Sequence, residues 1–194
     1  MLAVISKDCP ACRQRHCGHT LLELLAVLSI TALLLSLGLP GMHELLARQR
    51  LRATATDLFS AIELTRVQAM ARGRRVLLTP AGDGADWRAG WLVFVDRNHN
   101  LAYDGGDELL LRQAPLADGM TVRFAFTSGA AAPPYIAYNS AGRSCSASNS
   151  LAARWGTLSL IFGKQERHIK INMLGRVRVC DPQQSSSCTG AGES

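Results

Sequence analysis

Between Thr20 and Met42 the chain reads TLLELLAVLSITALLLSLGLPGM, with Glu23 as its single formal charge. At 1.5 Å per residue such a run forms a helix of ~35 Å, enough to cross a hydrocarbon core of ~30 Å, and it predicts a membrane-spanning helix. A Leu-Gly-Leu-Pro-Gly stretch interrupts it. Apolar residues then return at Leu51, Ala55, Leu58, Ile62 and Ala69, flanked by Phe59 and Met70, the one-faced spacing of a second, amphipathic helix. Gly73 is placed to cap that helix after Arg72. From there the pattern shortens to strand-like runs: Arg75 to Thr79, Trp91 to Val95, Glu108 to Arg112, Val122 to Phe126, Tyr135 to Asn139, Thr157 to Phe162, His168 to Asn172 and Val177 to Cys180. Clusters of Gly, Pro, Asp and Asn separate them, which predicts an antiparallel β-sandwich or paired sheets laid on the second helix, and an α+β chain as a whole.

A length of 194 residues suits one domain with an anchor or tail, and 47% apolar with 19% charged residues excludes a disordered chain. The 21 basic residues against 15 acidic ones give a net charge of +6. Most are arginine, whose planar fork suits phosphate and carboxylate, so acidic partners become plausible. The charge is uneven: residues 83–118 are acidic, whereas Arg143 to Arg178 carries five Arg and two Lys against Glu166 alone. No internal repeat is present, and only the tail from Gln183 to Ser194 is of low complexity, which predicts a flexible end apart from Cys188.

A secretory signal places its small-residue cleavage site after the apolar run. Here Gly18 stands before it, followed by His19-Thr20-Leu21-Leu22-Glu23. That order resembles the processing motif of type IV prepilins and of the pseudopilins of type II secretion. The resemblance implies a leader over 1–18, cut after Gly18 by a prepilin peptidase that methylates His19. It implies further that residues 19–42 persist as the transmembrane and assembly helix, with Pro40 at the family's usual proline position. His19 stands where the family most often has Phe or Met. Lys7, Arg13 and Arg15 before the helix are balanced by Arg48, Arg50 and Arg52 after it, so orientation comes from the resemblance and not from charge. On that basis the chain is a single-pass protein of the bacterial inner membrane. Its C-terminal domain lies in the periplasm, and it assembles with major and minor pilins into a pilus.

A carboxylate inside a membrane helix is costly unless paired, which marks Glu23 as functional by default. The resemblance implies its partner: the N-terminal ammonium of a neighbouring subunit, the pair setting axial register in the filament. The plainer reading is that Glu23 sits at headgroup depth.

The layout downstream is also informative: Gly90-Trp91 through Asp96, a polar Asn-rich turn, Asp107-Glu108 to Arg112, Asn139 to Gly142, and Gly175-Arg176-Val177-Arg178. It resembles the GspH/FimT branch of minor pilins. This implies an amphipathic helix over 43–73, a β-rich periplasmic domain over 74–182 and a tail over 183–194.

In Gly175-Arg176-Val177-Arg178-Val179 the two arginines lie two residues apart, so on a strand they share a face about 6.6 Å apart while Val177 and Val179 point to the core. Lys170 and His168 alternate the same way on the preceding strand, which would extend a basic patch. Phosphate backbone is a natural ligand, held by charge and counterion release without base reading. A Gly-Arg-x-Arg motif near the C-terminus is what FimT-type minor pilins use to bind DNA in natural transformation. The resemblance therefore implies nonspecific binding of double-stranded DNA through Gly175, Arg176, Arg178 and Lys170. The rival is a GspH-like pseudopilin of type II secretion, in which these arginines face another subunit. Aromatic residues are too sparse here for stacking single strands.

Other chemistry is less developed. Asp96, Asn98, Asn100, Asp104 and Asp107 alternate as calcium-loop ligands do, yet Leu101 stands where such a loop needs Gly and Asp107 where it needs a bidentate Glu, so a polar turn is the better reading. Cys9, Cys12 and Cys17 fall in the leader. Of Cys145, Cys180 and Cys188, pairing of Cys180 with Cys188 would close a small loop as in many pilins, while Cys145 pairing with either stays open and one thiol is left over. No Ser or Cys stands in a local nucleophile motif, and the histidines lack metal-ligand spacing. Neither an enzyme nor a metal or other cofactor is expected.

Overall fold

The structure is a computed structural model that describes residues 20–82, 86–127 and 133–188, apart from the side chains of 37–41. Gly18 and His19, and the leader cysteines, lie outside the described residues. The chain divides into two units, Met1–Met42 and His43–Ser194.

Helix α1 is assigned from Leu21 to Arg72. Thr20 caps it: its Oγ1 accepts the Glu23 N–H at 3.2 Å, and Glu23 in the first turn suits the positive end of the helix dipole. From Leu21 to Leu35 the leucines are exposed, and Ser29, Thr31 and Ser36 return their hydroxyls to backbone carbonyls one turn back. Among the described residues no helix is long and apolar enough to cross a membrane. The backbone is helical through Leu37–Gly41, where an interruption was expected. A proline withdraws a single bond from the ladder and so bends a helix as readily as it ends one.

In the second unit the stripe Leu51, Ala55, Leu58, Ile62 and Ala69 is buried at 2% exposure or less. Each large side chain of that stripe contributes roughly 1.5–3 kcal/mol by leaving water. Gly73, at φ +63°, ends the helix, its N–H reaching the Met70 carbonyl at 3.3 Å. Eight strands follow: β1 (Val76–Pro80), β2 (Trp91–Val95), β3 (Glu108–Arg112), β4 (Met120–Phe126), β5 (Ile136–Tyr138), β6 (Gly156–Phe162), β7 (Gln165–Ile171) and β8 (Val177–Cys180). They form two antiparallel four-stranded sheets, ordered β3-β2-β1-β5 and β4-β6-β7-β8.

The burial of each strand follows its sequence. β1 and β2 are continuous apolar runs and are buried on both faces. Val76, Leu78, Val93 and Val95 join the helix stripe and Leu158, Leu160, Ile169 and Ile171 of the second sheet in the main core. Leu77, Leu92 and Phe94 face the other way, into a smaller cluster with Tyr135, Ala137 and Cys145. β4 alternates and buries one face only. Arg154 is buried at 2% exposure, its guanidinium 3.9 Å from the Tyr135 ring and 5.3 Å from those of Phe124 and Phe126. Burial pulls its pKa down, with Tyr135 opposing.

Candidate functional site

The arginine motif sits at the turn from β7 to β8. Asn172 builds that turn, its side-chain oxygen accepting the N–H groups of Leu174 at 3.1 Å and Arg176 at 2.9 Å. Gly175 follows at φ +79°, and no side chain fits there: a Cβ would stand 2.7 Å from the Gly142 carbonyl oxygen, 2.8 Å from Tyr138 Cε1 and 2.9 Å from the Ser144 nitrogen. Tyr138, fully buried, donates its hydroxyl to the Gly175 carbonyl at 2.9 Å. Burial, with the nearby Glu63 carboxylate, raises its pKa against the opposing pull of Arg66. Arg66 Nε in turn donates to the Gly142 carbonyl at 3.1 Å. Gly175 therefore belongs to the scaffold; it locks the β7–β8 turn onto the Asn139–Gly142 turn and α1.

That lock gathers cations. Arg176 and Arg143 are exposed on the two touching loops, with no side-chain partner among the described residues, and half-buried Arg66 reaches the same contact through the Gly142 carbonyl. The sequence reading had Arg176 but missed Arg143 and Arg66, because what brings them together is the contact between two glycines far apart in the chain.

Arg178 is placed differently. Its Nη2 donates to the Ser187 carbonyl at 2.7 Å and lies 3.4 Å from the Ser187 hydroxyl. Lys170 is its direct cross-strand partner, as the alternation predicted, but at 8% exposure it is buried and unavailable to a surface ligand. In the same row it lies between Thr157 and Arg178. His168 is held between Glu166 Oε1 at 2.9 Å and the Cys188 carbonyl at 3.1 Å. The continuous patch thus reduces to Arg176 with Arg143 and Arg66, and an Arg178 fastened to the C-terminal segment.

That segment is stapled by a disulfide between Cys180 and Cys188. Residues 183–188, expected as part of a flexible tail, form a turn and a short 3-10 helix with Cys188 fully buried. Arg167 and Asp181 hold its start with an ion pair largely shielded from solvent. Cys145 is the leftover thiol, buried, with burial pushing its pKa up to about 11 against the opposing charge of Arg75. Val179 is not in the core. At 38% exposure it lines an open groove with Ala55, Phe59 and Arg167, on a strand, β8, that stands at the edge of its sheet.

The polar loop after β2 spends its carboxylates on its own backbone. Asp96 accepts the N–H groups of His99 and Leu101, and Asp107 those of Arg97 and Asp104. The Gly106 N–H, with the Asn98 and Asn100 amides, holds Asp104 below the usual carboxylate range. Among the described residues no group of three or more His, Cys, Asp or Glu is arranged to hold a metal ion.

Residues 54–175 match the family described as the type II transport protein GspH. The chain belongs to the GspH family. That family is of the minor pilin and pseudopilin type. A similar curated protein is the pilin-like protein PilA1 of Thermus thermophilus, 41% identical over 91 residues, which are 47% of this chain and 55% of that protein. The chain thus spans about half the length of the curated relative it matches. Among solved structures it is similar to the type IV minor pilin FimU of Pseudomonas aeruginosa in two crystal forms. The TM-scores are 0.53 and 0.50 at 18% identity, covering 76% and 74% of this chain and 96% and 98% of that one. At that identity the likeness is one of fold: a long N-terminal helix followed by antiparallel sheets.

Proposed function

We infer that this GspH-family chain is a FimT-like minor type IV pilin that binds the phosphate backbone of double-stranded DNA nonspecifically, for uptake in natural transformation, with no catalytic role. The observation that carries the reading is the β7–β8 turn, where Arg176 is exposed with no side-chain partner among the described residues, on a loop that touches the one carrying Arg143. A rigid turn presents these cations without further ordering, so little conformational entropy is lost when a phosphate arrives. Arg178 adds a third guanidinium, one of whose nitrogens is occupied by Ser187. Three such contacts make a weak monomer, which gains from repetition along a filament.

Delivery to that filament uses the N-terminal segment. Cleavage after Gly18, methylation of His19 and anchoring of residues 19–42 in the inner membrane would leave the β-rich unit in the periplasm. Glu23 would pair with a neighbour's terminal ammonium and fix subunit register. The Cys180–Cys188 disulfide is consistent with an oxidising compartment.

Labelled duplex DNA titrated into the full-length protein in nonionic detergent at two salt concentrations tests the reading. Binding should weaken steeply with salt, and Arg176→Ala/Arg178→Ala should lower affinity and flatten the log–log salt slope by about 2. A folded protein that binds no DNA at low salt, or a double variant that binds like the parent, refutes it. The match to a type II transport family favours the second reading, a structural pseudopilin whose arginines face a neighbouring subunit.

A further inference from the structure

A second cationic site lies at the C-terminal end of α1, remote in sequence from the β7–β8 turn. After Arg72 the chain turns through Gly73, where a Cβ would meet only open space, and Arg74 and Arg75 lead into β1. The end of β2 brings Asp96, Arg97 and His99 against them, and together these residues line an open cavity of about 420 Å³.

The charges in its wall do not balance. Arg72 donates to Glu108 at 2.7 Å and Arg97 lies 3.6 Å from the same carboxylate, so one acid serves two guanidiniums. Asp96 is buried, and both its oxygens are taken by backbone N–H groups. Arg74 is exposed with no side-chain partner among the described residues. Arg75 gives one terminal nitrogen to the Ala147 carbonyl and the other to His99 Nδ1 at 2.6 Å, while its Nε is buried with no hydrogen-bond partner. A guanidinium can only donate, so His99 Nδ1 is the acceptor and the ring keeps its hydrogen on Nε2, a further donor. Four guanidiniums stand against Asp96, Glu108 and Asp107, whose Oδ1 accepts the Arg97 backbone N–H at 2.9 Å, which leaves an excess of one positive charge. The helix end offsets about half a charge of that.

We propose that this cavity is an oxyanion site that takes a phosphate group, with Arg74 and Arg97 as its exposed clamps and Arg75 as the fixed donor in its wall. The excess charge draws an oxyanion, and the planar forks can meet its oxygens in pairs. The volume exceeds that of one phosphate ion and falls in the range of small-ligand pockets, so a diphosphate or a phosphate ester fits it better. The inference does not depend on DNA binding at the β7–β8 turn.

Calorimetric titration of inorganic pyrophosphate into the full-length protein in nonionic detergent tests it. The expected result is one site per chain in the parent and in Arg176→Ala. Kd should rise at least tenfold in Arg74→Glu and in Arg97→Ala, with the thermal transition of Arg74→Glu unchanged. Absence of binding by the parent, equal affinity in a folded Arg74→Glu, or a loss in Arg176→Ala as large as in Arg74→Glu overturns the assignment. Duplex DNA added to the loaded protein separates two sources of the phosphate. Displacement of pyrophosphate makes it a DNA phosphodiester, and retention a small phosphate compound; the site stands in either case.

Discussion

Replacing Gly175 by alanine separates the scaffold of the arginine turn from its ligand-binding groups. An L-residue at φ +79° costs roughly 1–2 kcal/mol before any contact is considered. The new methyl would stand 2.7 Å from the Gly142 carbonyl oxygen and 2.9 Å from the Ser144 nitrogen, both backbone atoms that cannot swing aside. Overpacking of this kind adds about 1–3 kcal/mol. Relief requires the Asn139–Gly142 turn to move, which loosens the Tyr138 bond to Gly175 or the Arg66 bond to Gly142, worth about 1 kcal/mol. The sum is about 4 kcal/mol, a large share of the ~5–15 kcal/mol that holds an ordinary domain together.

Thermal unfolding of the His43–Ser194 unit, which contains every residue of the main core, should show a fall of about 12 °C for Gly175→Ala. Arg176→Ala, one residue on but exposed, should stay within about 2 °C. A Gly175→Ala protein that melts within 3 °C of the parent would refute the reasoning, because the two turns would then not be locked. Loss of DNA binding in Gly175→Ala accordingly says nothing about a ligand; only the arginine variants do.

Removing the disulfide with Cys180→Ser/Cys188→Ser should cost about 2.5 kcal/mol by loop entropy for a sequence separation of 8, read from thermal scans with and without reductant. Cys145 should resist alkylation at pH 8 in the folded protein and react at once in denaturant. Because burial raises its pKa from 9.0 to about 11, the folded state favours the protonated thiol. That contribution is complete below about pH 9 and is lost as pH rises through 11, so alkaline unfolding should begin later in Cys145→Ala relative to its own neutral stability. Arg154→Ala should destabilise by roughly 3 kcal/mol in urea titration, since it empties the space between three aromatic rings and orphans the Tyr135 carbonyl; an unchanged midpoint would show that the stack contributes nothing.

Local periodicity carried most of the fold. The stripe from Leu51 to Ala69 is legible because an amphipathic helix packs by its own spacing, and β2, β3 and β8 fall on the predicted residues because Gly, Pro and polar clusters bound them. What the pattern could not give is which strand lies at an edge. Val179 alternates like a core residue, yet β8 has no neighbour on its outer side and leaves it beside an open groove. Lys170 alternates like a surface residue, yet β7 is an inner strand of its sheet, and the row it occupies is closed by Thr157 and Arg178.

Both failures have one cause: alternation assigns a side chain to a face of a sheet, and the neighbours that cover that face are chosen by contacts across the whole chain. The same distinction decides how the arginines should be read. Arg176 is exposed with no side-chain partner among the described residues, on the turn that the Gly142–Gly175 contact holds, whereas Arg178 is fastened to Ser187 within the loop that the disulfide closes. Arg176→Ala should therefore weaken DNA binding more than Arg178→Ala in the oxidised protein. Reduction of the disulfide should narrow that difference by freeing Arg178, a comparison made by fluorescence anisotropy with the same duplex in both redox states. Equal losses from the two substitutions before reduction would show that the Ser187 contact does not restrain Arg178, and that the two arginines act as the paired prongs the bare sequence suggested.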